Sequence, residues 1–283
     1  MTIKEIIKKA SNLVLASNKE ESAALILFSE TQGLSRSELF VRYEDEYPLE
    51  KTKEYFLLLD KYINDNIPVQ YIIGHTNFFG YEFCVDENVL IPRPETAELV
   101  ENILYYYDKF FKGETLDLVD IGTGSGCISI TLALEEKNFN VSASDISPLA
   151  VNVAKLNAKN LGADVKFYVG DMVSAVFGNK YDVLVSNPPY IPVEEEVMSL
   201  VKDNEPNVAL FGGEDGLKFY RIILRDAKKV LKKDKFMMAF EHAYDKAQEI
   251  RELAKQEYPN ANVFTIKDME GRDRMTFILM GCK

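Results

Sequence analysis

A chain of 283 residues is long enough for about two domains, each with a hydrophobic core of its own. Hydrophobic residues make up 47% of the chain and charged residues 28%, which excludes a disordered protein and a fibrous repeat. The 45 acidic residues outnumber the 33 basic ones, and the resulting net charge of -12 argues against a general nucleic-acid clamp, which needs a cationic surface. A local basic patch stays open, because net charge does not describe how charges are arranged.

Cysteines and apolar runs bear on the cellular compartment. Cys84, Cys127 and Cys282 are too few and too widely spaced for a zinc site or a disulfide framework, so they are predicted to be reduced thiols. The first residues mix charges into their apolar positions, and no later run approaches the roughly 18 apolar residues of a membrane span. These features predict a cytoplasmic protein that has no metal site and no membrane association.

The N-terminal quarter has the periodicity of helices. Apolar residues at spacings of three and four predict an amphipathic helix over residues 3–14, and a second apolar segment follows it. Ser35 and Glu38 have the spacing of a capping box, which predicts the start of a third helix. A fourth helix is expected over residues 50–66. Residues 1–73 are therefore predicted to form a small helical bundle.

A change of composition marks a linker after this bundle. Residues 81–85 and 89–91 have the composition of two short strands, and the polar residues 86–88 between them suit a turn. Residues 74–95 are accordingly predicted to be a β-hairpin linker. Pro94 is well suited to the first turn of the helix that follows.

The rest of the chain alternates short apolar runs with helical patterns, which is typical of a parallel sheet with helices on both faces. The predicted strands lie at residues 116–121, 141–144, 165–169, 181–186 and 236–240. Two further runs near the C terminus, residues 262–266 and 275–280, are close enough in sequence to pair antiparallel. The sequence thus predicts an α/β protein.

A glycine-rich turn follows the first of these strands and consists of Gly122, Thr123, Gly124, Ser125 and Gly126. Glycines at a strand-to-helix turn let a ligand approach the backbone, and the helix N terminus offers unpaired N–H groups. The spacing is G-x-G-x-G, not the G-x-G-x-x-G of the dinucleotide fingerprint, which weakens a nicotinamide cofactor without excluding it. Asp145 ends the second strand, where an acidic side chain can accept both ribose hydroxyls. Together they favour adenosyl binding, although a tight turn without a ligand would explain the glycines alone.

Two residues after the third strand extend this predicted site. Asp171 can accept a hydrogen bond from an adenine amino group, and Met172 would then lie against the adenine ring. An ordinary solvated turn is the alternative explanation for Asp171.

The segment after the fourth strand, Asn187-Pro188-Pro189-Tyr190, predicts a site for a planar NH2 group. Asn187 has a carboxamide acceptor, Pro188 keeps its C=O but has no N–H, and Tyr190 brings a flat aromatic face. Two acceptors suit the two hydrogens of such a group, and the ring suits stacking. A simple proline turn would explain the prolines but not the acceptor and the aromatic ring.

The chain resembles the protein-(glutamine-N5) methyltransferases that act on peptide chain release factors. The resemblance extends over nearly the whole chain and is carried by residues 68–74, 89–96, 120–126, 187–190 and 212–217. It implies a class I S-adenosylmethionine-dependent methyltransferase fold, which is Rossmann-like, with a mostly parallel seven-stranded sheet and an antiparallel terminal strand. It also implies that residues 1–73 recognise the substrate and that residues 96–283 form the catalytic domain.

The resemblance assigns roles to the predicted site residues. Those implied to bind S-adenosylmethionine are Gly122, Thr123, Gly124, Ser125, Gly126, Asp145, Asp171, Met172 and Asn187. Those implied to bind the substrate glutamine are Asn187, Pro188, Pro189 and Tyr190, and of these Asn187, Pro188 and Tyr190 act in catalysis. The implied reaction is N5-methylation of the glutamine in the Gly-Gly-Gln motif of class 1 release factors by direct SN2 transfer, with S-adenosylhomocysteine as the other product.

Two other functions stay open. An N6-adenine nucleic-acid methyltransferase would present the same planar nitrogen to Asn-Pro-Pro-Tyr, but the acidic balance and the lack of a basic recognition segment argue against it. A catalytically silent adenosyl-binding protein whose helical domain docks partners is the second. The protein is expected to be a monomer that binds release factors and no nucleic acid stably. Arg93 and Glu95 are expected either to fix the hairpin against residues 187–190 or to form a generic surface ion pair.

Overall fold

The computed structural model describes residues 1–282, which divide into two units. The first unit consists of Met1–His75 together with the separate stretch Val197–Asn204. The second consists of Thr76–Glu196 and the chain from Glu205 onwards. Within the described residues, no helix combines the length and the apolar character that crossing a membrane requires.

The helices and strands are numbered in chain order. The helices are α1 (Ile3–Ala16), α2 (Ser22–Gln32), α3 (Arg36–Val41), α4 (Leu49–Ile63), α5 (Val69–Ile73), α6 (Pro94–Phe110), α7 (Cys127–Glu135), α8 (Pro148–Leu161), α9 (Ser199–Lys202), α10 (Asn207–Leu210), α11 (Lys218–Ala227) and α12 (Ala247–Glu257). The strands are β1 (His75–Phe78), β2 (Tyr81–Cys84), β3 (Leu116–Ile121), β4 (Phe139–Asp145), β5 (Val165–Val169), β6 (Val183–Ser186), β7 (Phe236–Glu241), β8 (Asn262–Lys267) and β9 (Asp273–Met280). A short 3-10 helix spans Met172–Val176.

The first unit is helical, as the apolar periodicity predicted. The predicted capping box is present at the start of α3, where the Ser35 side chain accepts from the Glu38 N–H and the Glu38 carboxylate accepts from the Ser35 N–H. The apolar faces of α1, α2 and α4 meet in one core that buries Ile6, Leu27 and Leu59. Local capping and burial of one face per helix together account for this bundle.

The second unit is built on a seven-stranded sheet with the order β5-β4-β3-β6-β7-β9-β8. Strands β3 to β7 pair in parallel, whereas β9 runs antiparallel to both β7 and β8. Successive residues of β3 point into different cores, with Leu118 on the side of α6 and α7 and Val119 on the side of α11 and α12. This confirms the predicted α/β class and the antiparallel C-terminal strand.

The parallel strands bring distant parts of the sequence to one edge of the sheet. Strands β3, β4, β5, β6 and β7 all run in the same direction, so their carboxyl ends lie along that edge. The segments that follow these ends include the glycine-rich turn, Asp171 and Asn187. Ligands of open α/β sheets bind in the crevice outside these strand ends.

The hairpin lies upstream of its predicted position. Its strands are β1 and β2, joined by Phe79 and Gly80, which both have positive φ, as a two-residue hairpin turn requires. The prediction of strands on either side of residues 86–88 was wrong, because the second of them does not form. The Ile91 N–H donates to the buried Glu205 carboxylate instead of a strand, and the prolines on either side of Arg93 have no N–H to offer a ladder.

Candidate active site

A cavity of about 320 Å³ lies at the carboxyl edge of the sheet, entirely within the second unit. The predicted site residues that line it are Gly122, Thr123, Gly124, Ser125, Asp145, Asp171, Met172, Asn187 and Pro189. Three of the predicted residues, Gly126, Pro188 and Tyr190, lie outside its lining. The structure therefore gathers residues from the ends of four strands into one concave site, which is the usual form of a small-molecule pocket.

The glycines of the turn have two different surroundings. Gly122 and Gly124 have positive φ, and a side chain built on either would meet no protein atom within 4 Å. At Gly126, a Cβ atom would lie 2.6 Å from Ile130 Cδ1 and 3.2 Å from the Cβ of Ala154. Gly122 and Gly124 therefore leave the backbone open to a ligand. At Gly126 the absence of a side chain leaves room for the side chains of Ile130 in α7 and Ala154 in α8.

The Asp145 carboxylate holds the turn in place. Its Oδ2 accepts from the Gly124 N–H and its Oδ1 from the Ser147 N–H, both at 2.9 Å. Burial raises the pKa of Asp145, and these hydrogen bonds oppose the rise. Each oxygen keeps a further lone pair, and the neighbouring Ser144 hydroxyl is buried, lines the cavity and has no protein partner among the described residues. This set of groups fits a polyhydroxylated ligand such as a ribose.

Asp120, at the carboxyl end of β3, is fully buried beneath the turn. Its Oδ2 accepts from the Thr123 hydroxyl at 2.6 Å, while Oδ1 has no hydrogen-bond partner among the described residues. Burial raises the pKa of Asp120 to about 7, opposed by hydrogen bonds from Thr123 and Ser129, while the nearby Asp145 raises it further. Asp120 thus holds the turn through its hydrogen bond with Thr123, and its carboxyl group changes protonation state near neutral pH.

Asp171 and Met172, which follow β5, also line the cavity. Asp171 is exposed, whereas Met172 is half-buried and opens the 3-10 helix with a φ of 45°. Such a left-handed conformation is unusual for a residue with a side chain. It places a flexible apolar side chain in the lining, next to an acceptor, as a purine ring with an amino group would need.

The loop after β6 presents a fixed carboxamide. Asn187 is half-buried and lines the cavity, and its Nδ2 donates to the Thr96 hydroxyl at 3.2 Å. Because the nitrogen is engaged in this way, the oxygen of Asn187 is the atom left to accept from a ligand. Pro188 is buried, and the ring of Tyr190 packs against the core on the side of α11, where burial raises the pKa of its hydroxyl.

The segment 212–217 packs backbone against backbone with this loop. A Cβ atom on Gly212 would lie 2.5 Å from the Pro189 carbonyl oxygen and 2.8 Å from the Tyr190 Cα, and one on Gly216 would collide with the Tyr190 carbonyl oxygen. The Gly212 N–H donates to the Ile191 carbonyl at 2.8 Å. Glycine is required at these two positions because the loops approach too closely for any side chain.

Arg93 has a partner that the sequence did not suggest. Its Nη2 lies 2.5 Å from Oε1 of Glu205, whose side chain is only 1% exposed, and Glu205 also accepts from the Ile91 N–H. The expectation of a generic surface ion pair was therefore wrong, whereas the expectation that Arg93 and Glu95 fix the hairpin against residues 187–190 stays a prediction. The pair is neither a surface ion pair nor made with Glu95 within the described residues, because the acceptor comes from a stretch far along the chain.

Glu241 is a buried carboxyl group beside the site to which the sequence analysis gave no role. It ends β7, is 1% exposed, and its Oε2 has no hydrogen-bond partner among the described residues. Burial raises the pKa of Glu241 to about 7, opposed by hydrogen bonds from Thr96 and Asn187 and by the charge of Arg274. The available signal was an acidic residue at the end of an otherwise apolar strand run.

A group of apolar residues in the cavity wall was also not foreseen. Its residues come from segments before and within α10 and α11, and include Pro206, Val208, Ala209, Phe219 and Ile222. These segments carry no chemical motif, so only the fold reveals that they close the site.

Comparison with known proteins identifies the family. Residues 5–74 match the PrmC N-terminal domain, and residues 104–203 match the Methyltransferase small domain. The Release factor glutamine methyltransferase of Bacillus anthracis is 43% identical over 98% of this chain and 99% of its own length. That of Bacillus subtilis is 41% identical over 96% of each chain. The chain belongs to the release factor glutamine methyltransferase family.

The family confirms the resemblance seen in the sequence. A third member, from Enterococcus faecalis, is 36% identical over 96% of each chain. A solved methyltransferase from Pyrococcus furiosus has a TM-score of 0.53 and 18% identity, covering 82% of this chain and 100% of that chain. At that identity the likeness concerns the fold alone, and it agrees with the methyltransferase sheet described above.

Proposed function

We propose that this protein transfers a methyl group from S-adenosylmethionine to N5 of the glutamine in the Gly-Gly-Gln motif of class 1 release factors, by direct SN2 displacement. The observation that carries the proposal is the Asn187 carboxamide, which is held through its nitrogen by Thr96 in the same cavity as the open glycines and Asp145. The family's full-length relatives, which bear the name of this activity, support the same assignment.

The residues around the glycine-rich turn suit the methyl donor. When bound, S-adenosylmethionine supplies a methyl group on a positively charged sulfur, which makes the methyl carbon electrophilic. Gly122 and Gly124 leave room at the backbone, and Asp145 offers lone pairs for the ribose hydroxyls. Asp171 accepts from the adenine amino group, and Met172 packs against the adenine ring.

The residues of the loop after β6 suit the glutamine. An amide nitrogen is a poor nucleophile, because its lone pair is delocalised into the carbonyl. The Asn187 oxygen and the Pro188 carbonyl accept its two hydrogens, which orients the nitrogen and favours the positive charge that develops on it. As the new N–C bond forms, the S–C bond breaks and S-adenosylhomocysteine leaves, and the methylated nitrogen then releases one proton to solvent. The ring of Tyr190 packs against the core outside the cavity lining, and we assign its face to the same developing charge, while Pro189 keeps the backbone of the loop rigid.

The remaining parts of the chain complete the proposal. Residues 1–73 contribute to recognition of the release factor, residues 74–95 form the connection, and residues 96–283 carry catalysis. The protein acts as a cytoplasmic monomer without stable nucleic-acid or membrane contacts. The excess of acidic side chains and the free thiols Cys84, Cys127 and Cys282 support this assignment.

Mass mapping of methylated products tests the proposed function. The full chain is incubated with methyl-labelled S-adenosylmethionine and, in parallel, with a class 1 release factor, adenine-containing DNA, or RNA. We expect one labelled methyl group on the motif glutamine, and none on a release factor whose motif glutamine is replaced by alanine. Label on adenine would instead support the nucleic-acid enzyme, and donor binding without any transfer would support the silent binding protein.

A further inference from the structure

We propose that Glu241 is a positioning residue, which acts through Thr96 to hold the Asn187 amide with its oxygen, and not its nitrogen, towards the substrate. The inference rests on the proposed function, since it assigns the group that makes Asn187 an acceptor for the glutamine NH2. Glu241 itself does not line the cavity, so its effect on the reaction passes through its neighbours.

Three separate elements bring these side chains together. Thr96 lies in the first turn of α6 and is 3% exposed, while Asn187 directly follows β6. In the sheet, Ser186 of β6 is paired in register with Phe240 of β7, so Asn187 and Glu241 are the next residues along adjacent strand ends. Asn187 Nδ2 donates to Thr96 Oγ1 at 3.2 Å, and the polar groups of Thr96 and Asn187 lie near enough to the Glu241 carboxyl group to lower its pKa.

The direction of these hydrogen bonds depends on the carboxylate. A threonine hydroxyl can donate or accept, so Thr96 alone would permit either orientation of the Asn187 amide. An ionised carboxylate can only accept, and the Thr96 O–H, which donates to no other group among the described residues, is the donor that we assign to it. The Thr96 oxygen must then accept, which selects the Asn187 nitrogen as its partner and leaves the Asn187 oxygen for the ligand.

A purely structural role does not explain this carboxyl group. It ends a strand in which every residue is buried, where an apolar side chain would avoid the cost of desolvating a charge. The charged groups that face it are Arg274, which favours the ionised form, and Glu95, which disfavours it. The Tyr190 and Tyr220 hydroxyls are also near, and that of Tyr220 donates to the Glu241 backbone carbonyl at 2.6 Å.

Protonation of Glu241 removes the directional constraint. Because the pKa of Glu241 is raised to about 7, the carboxyl loses its charge as the pH falls through neutrality. The protonated group can itself donate, so Thr96 is free to donate to Asn187 and the amide can turn over. The rate of methyl transfer is therefore expected to rise with pH between about 6 and about 8, and the part of that rise that disappears in Glu241→Gln reports this ionisation.

Steady-state kinetics of the full-length chain with a class 1 release factor test the inference. The variants are Thr96→Val, which removes the hydroxyl, its matched control Thr96→Ser, which retains it, and Glu241→Gln, which keeps the shape but not the charge. We expect Thr96→Val and Glu241→Gln to lower kcat about tenfold or more at pH 8, with donor affinity by calorimetry changed less than about threefold. Thr96→Ser should keep kcat within about threefold of the wild type, and Glu241→Gln should lose the rise with pH.

The outcomes separate this inference from the function on which it rests. Transfer by the wild type combined with equal kcat in Thr96→Ser and Thr96→Val, or with an unchanged pH profile in Glu241→Gln, overturns the positioning role and leaves the proposed function standing. Absence of transfer by the wild type overturns the proposed function. Thermal melting of each variant identifies loss of folding, and the threonine pair decides the question if Glu241→Gln does not fold.

Discussion

At the scale of single residues, substitution of Asn187 is expected to lower the rate of methyl transfer much more than the affinity for the methyl donor. Asn187→Ala removes the oxygen that accepts from the glutamine NH2, whereas the glycine-rich turn and Asp145 are left in place. We expect kcat/KM for methyl transfer to fall about 100-fold or more, and donor affinity to change less than about tenfold. Asn140→Ala, at the opposite end of β4, is the control and should retain normal activity. Near-normal turnover by Asn187→Ala would remove its assigned role.

Asp120 is expected to make the stability of the ligand-free protein depend on pH. Its ordinary pKa of 3.8 is raised to about 7 by burial, so the folded state holds this proton more tightly than the unfolded state. The free energy of unfolding therefore decreases as the pH rises from about 4 to about 7, and above that range the fold contains a buried charge. Asp120→Asn removes that charge without changing the size of the side chain.

Melting temperatures measured at several pH values check this expectation. Asp120→Asn should melt several degrees above the wild type at pH 8, and the difference should shrink towards pH 4.5. Asp108→Asn, at an exposed position of α6, serves as control and should follow the wild type throughout. A difference between wild type and Asp120→Asn that does not vary with pH would contradict the assigned ionisation.

Contiguity in sequence decides which site residues could be predicted. The glycine-rich turn and the Asn187–Tyr190 loop carry their chemistry within a few neighbouring positions, and the structure places most of these residues around one cavity. Glu241 and Thr96 act as partners only because β6, β7 and α6 meet in space. The partner of Arg93, Glu205, is 112 positions away, so no local sequence pattern points to it.

At the scale of elements, the approach of residues 212–217 to the loop after β6 depends on glycine. Gly216→Ala would force a Cβ atom into the Tyr190 carbonyl oxygen at a positive φ of 76°. Gly178→Ala is a matched control, because φ is 96° there but no atom lies within 4 Å of the added Cβ. We expect roughly 1 kcal/mol of destabilisation for the control and about 3 kcal/mol or more for Gly216→Ala.

Denaturant unfolding and methyl-transfer assays distinguish the two glycine variants. Gly216→Ala should also lose most of its activity, since the displaced backbone belongs to the loop that holds the glutamine. Gly178→Ala should remain active. Equal free energies of unfolding for the two variants would mean that backbone strain, and not the close approach, makes glycine necessary at position 216.

Element boundaries were predictable where a strand-like run ends sharply at polar residues. Strands β3 and β5 match their predicted bounds residue for residue, because each is an apolar run between polar segments. The hairpin was misplaced because its turn has Phe79 at a position where positive φ normally selects Asn, Asp or Gly. The polar residues 86–88 have turn-forming composition, and they do turn the chain, as the hydrogen bond from the Val89 N–H to the Asp86 carbonyl shows.

At the scale of the whole molecule, the net charge of -12 is expected to influence encounter with the protein substrate. Glu194 and Glu195 are exposed and follow the loop after β6 by only a few residues. If they attract a basic surface of the release factor, Glu194→Lys with Glu195→Lys should lower the association rate severalfold at about 20 mM salt and much less at about 300 mM.

Rapid-mixing measurements of association provide the check. The control reverses two other exposed charges, Glu249→Lys and Glu252→Lys on α12, and so changes the net charge by the same amount. If the attraction is local, charge reversal at Glu194 and Glu195 slows association more than charge reversal at Glu249 and Glu252. Identical rates for both double variants at low salt would assign any change to overall charge alone.

The division of the chain into units was only partly readable from composition. Alternation of strand and helix patterns predicts the α/β unit, and amphipathic periodicity predicts the helical one. The stretch Val197–Asn204 belongs to the helical unit although it lies deep within the sequence of the other. Leu200 packs against the core of the bundle. The apolar residues Val197, Met198, Leu200 and Val201 are too few to show from the sequence which of the two cores this stretch joins.

The assignment of Val197–Asn204 to the helical unit limits where the chain can be truncated. The Asn204 side chain donates to the Asn66 carbonyl at 2.7 Å, so the later stretch is tied to the end of the earlier one by hydrogen bonding as well as by Leu200. A truncated product that starts at residue 76 would retain Val197–Asn204 but lose the helical core against which Leu200 packs. In such a fragment Leu200 would be exposed to solvent only a few residues after Tyr190, which favours aggregation. The protein is therefore best expressed, crystallised and engineered as the undivided chain.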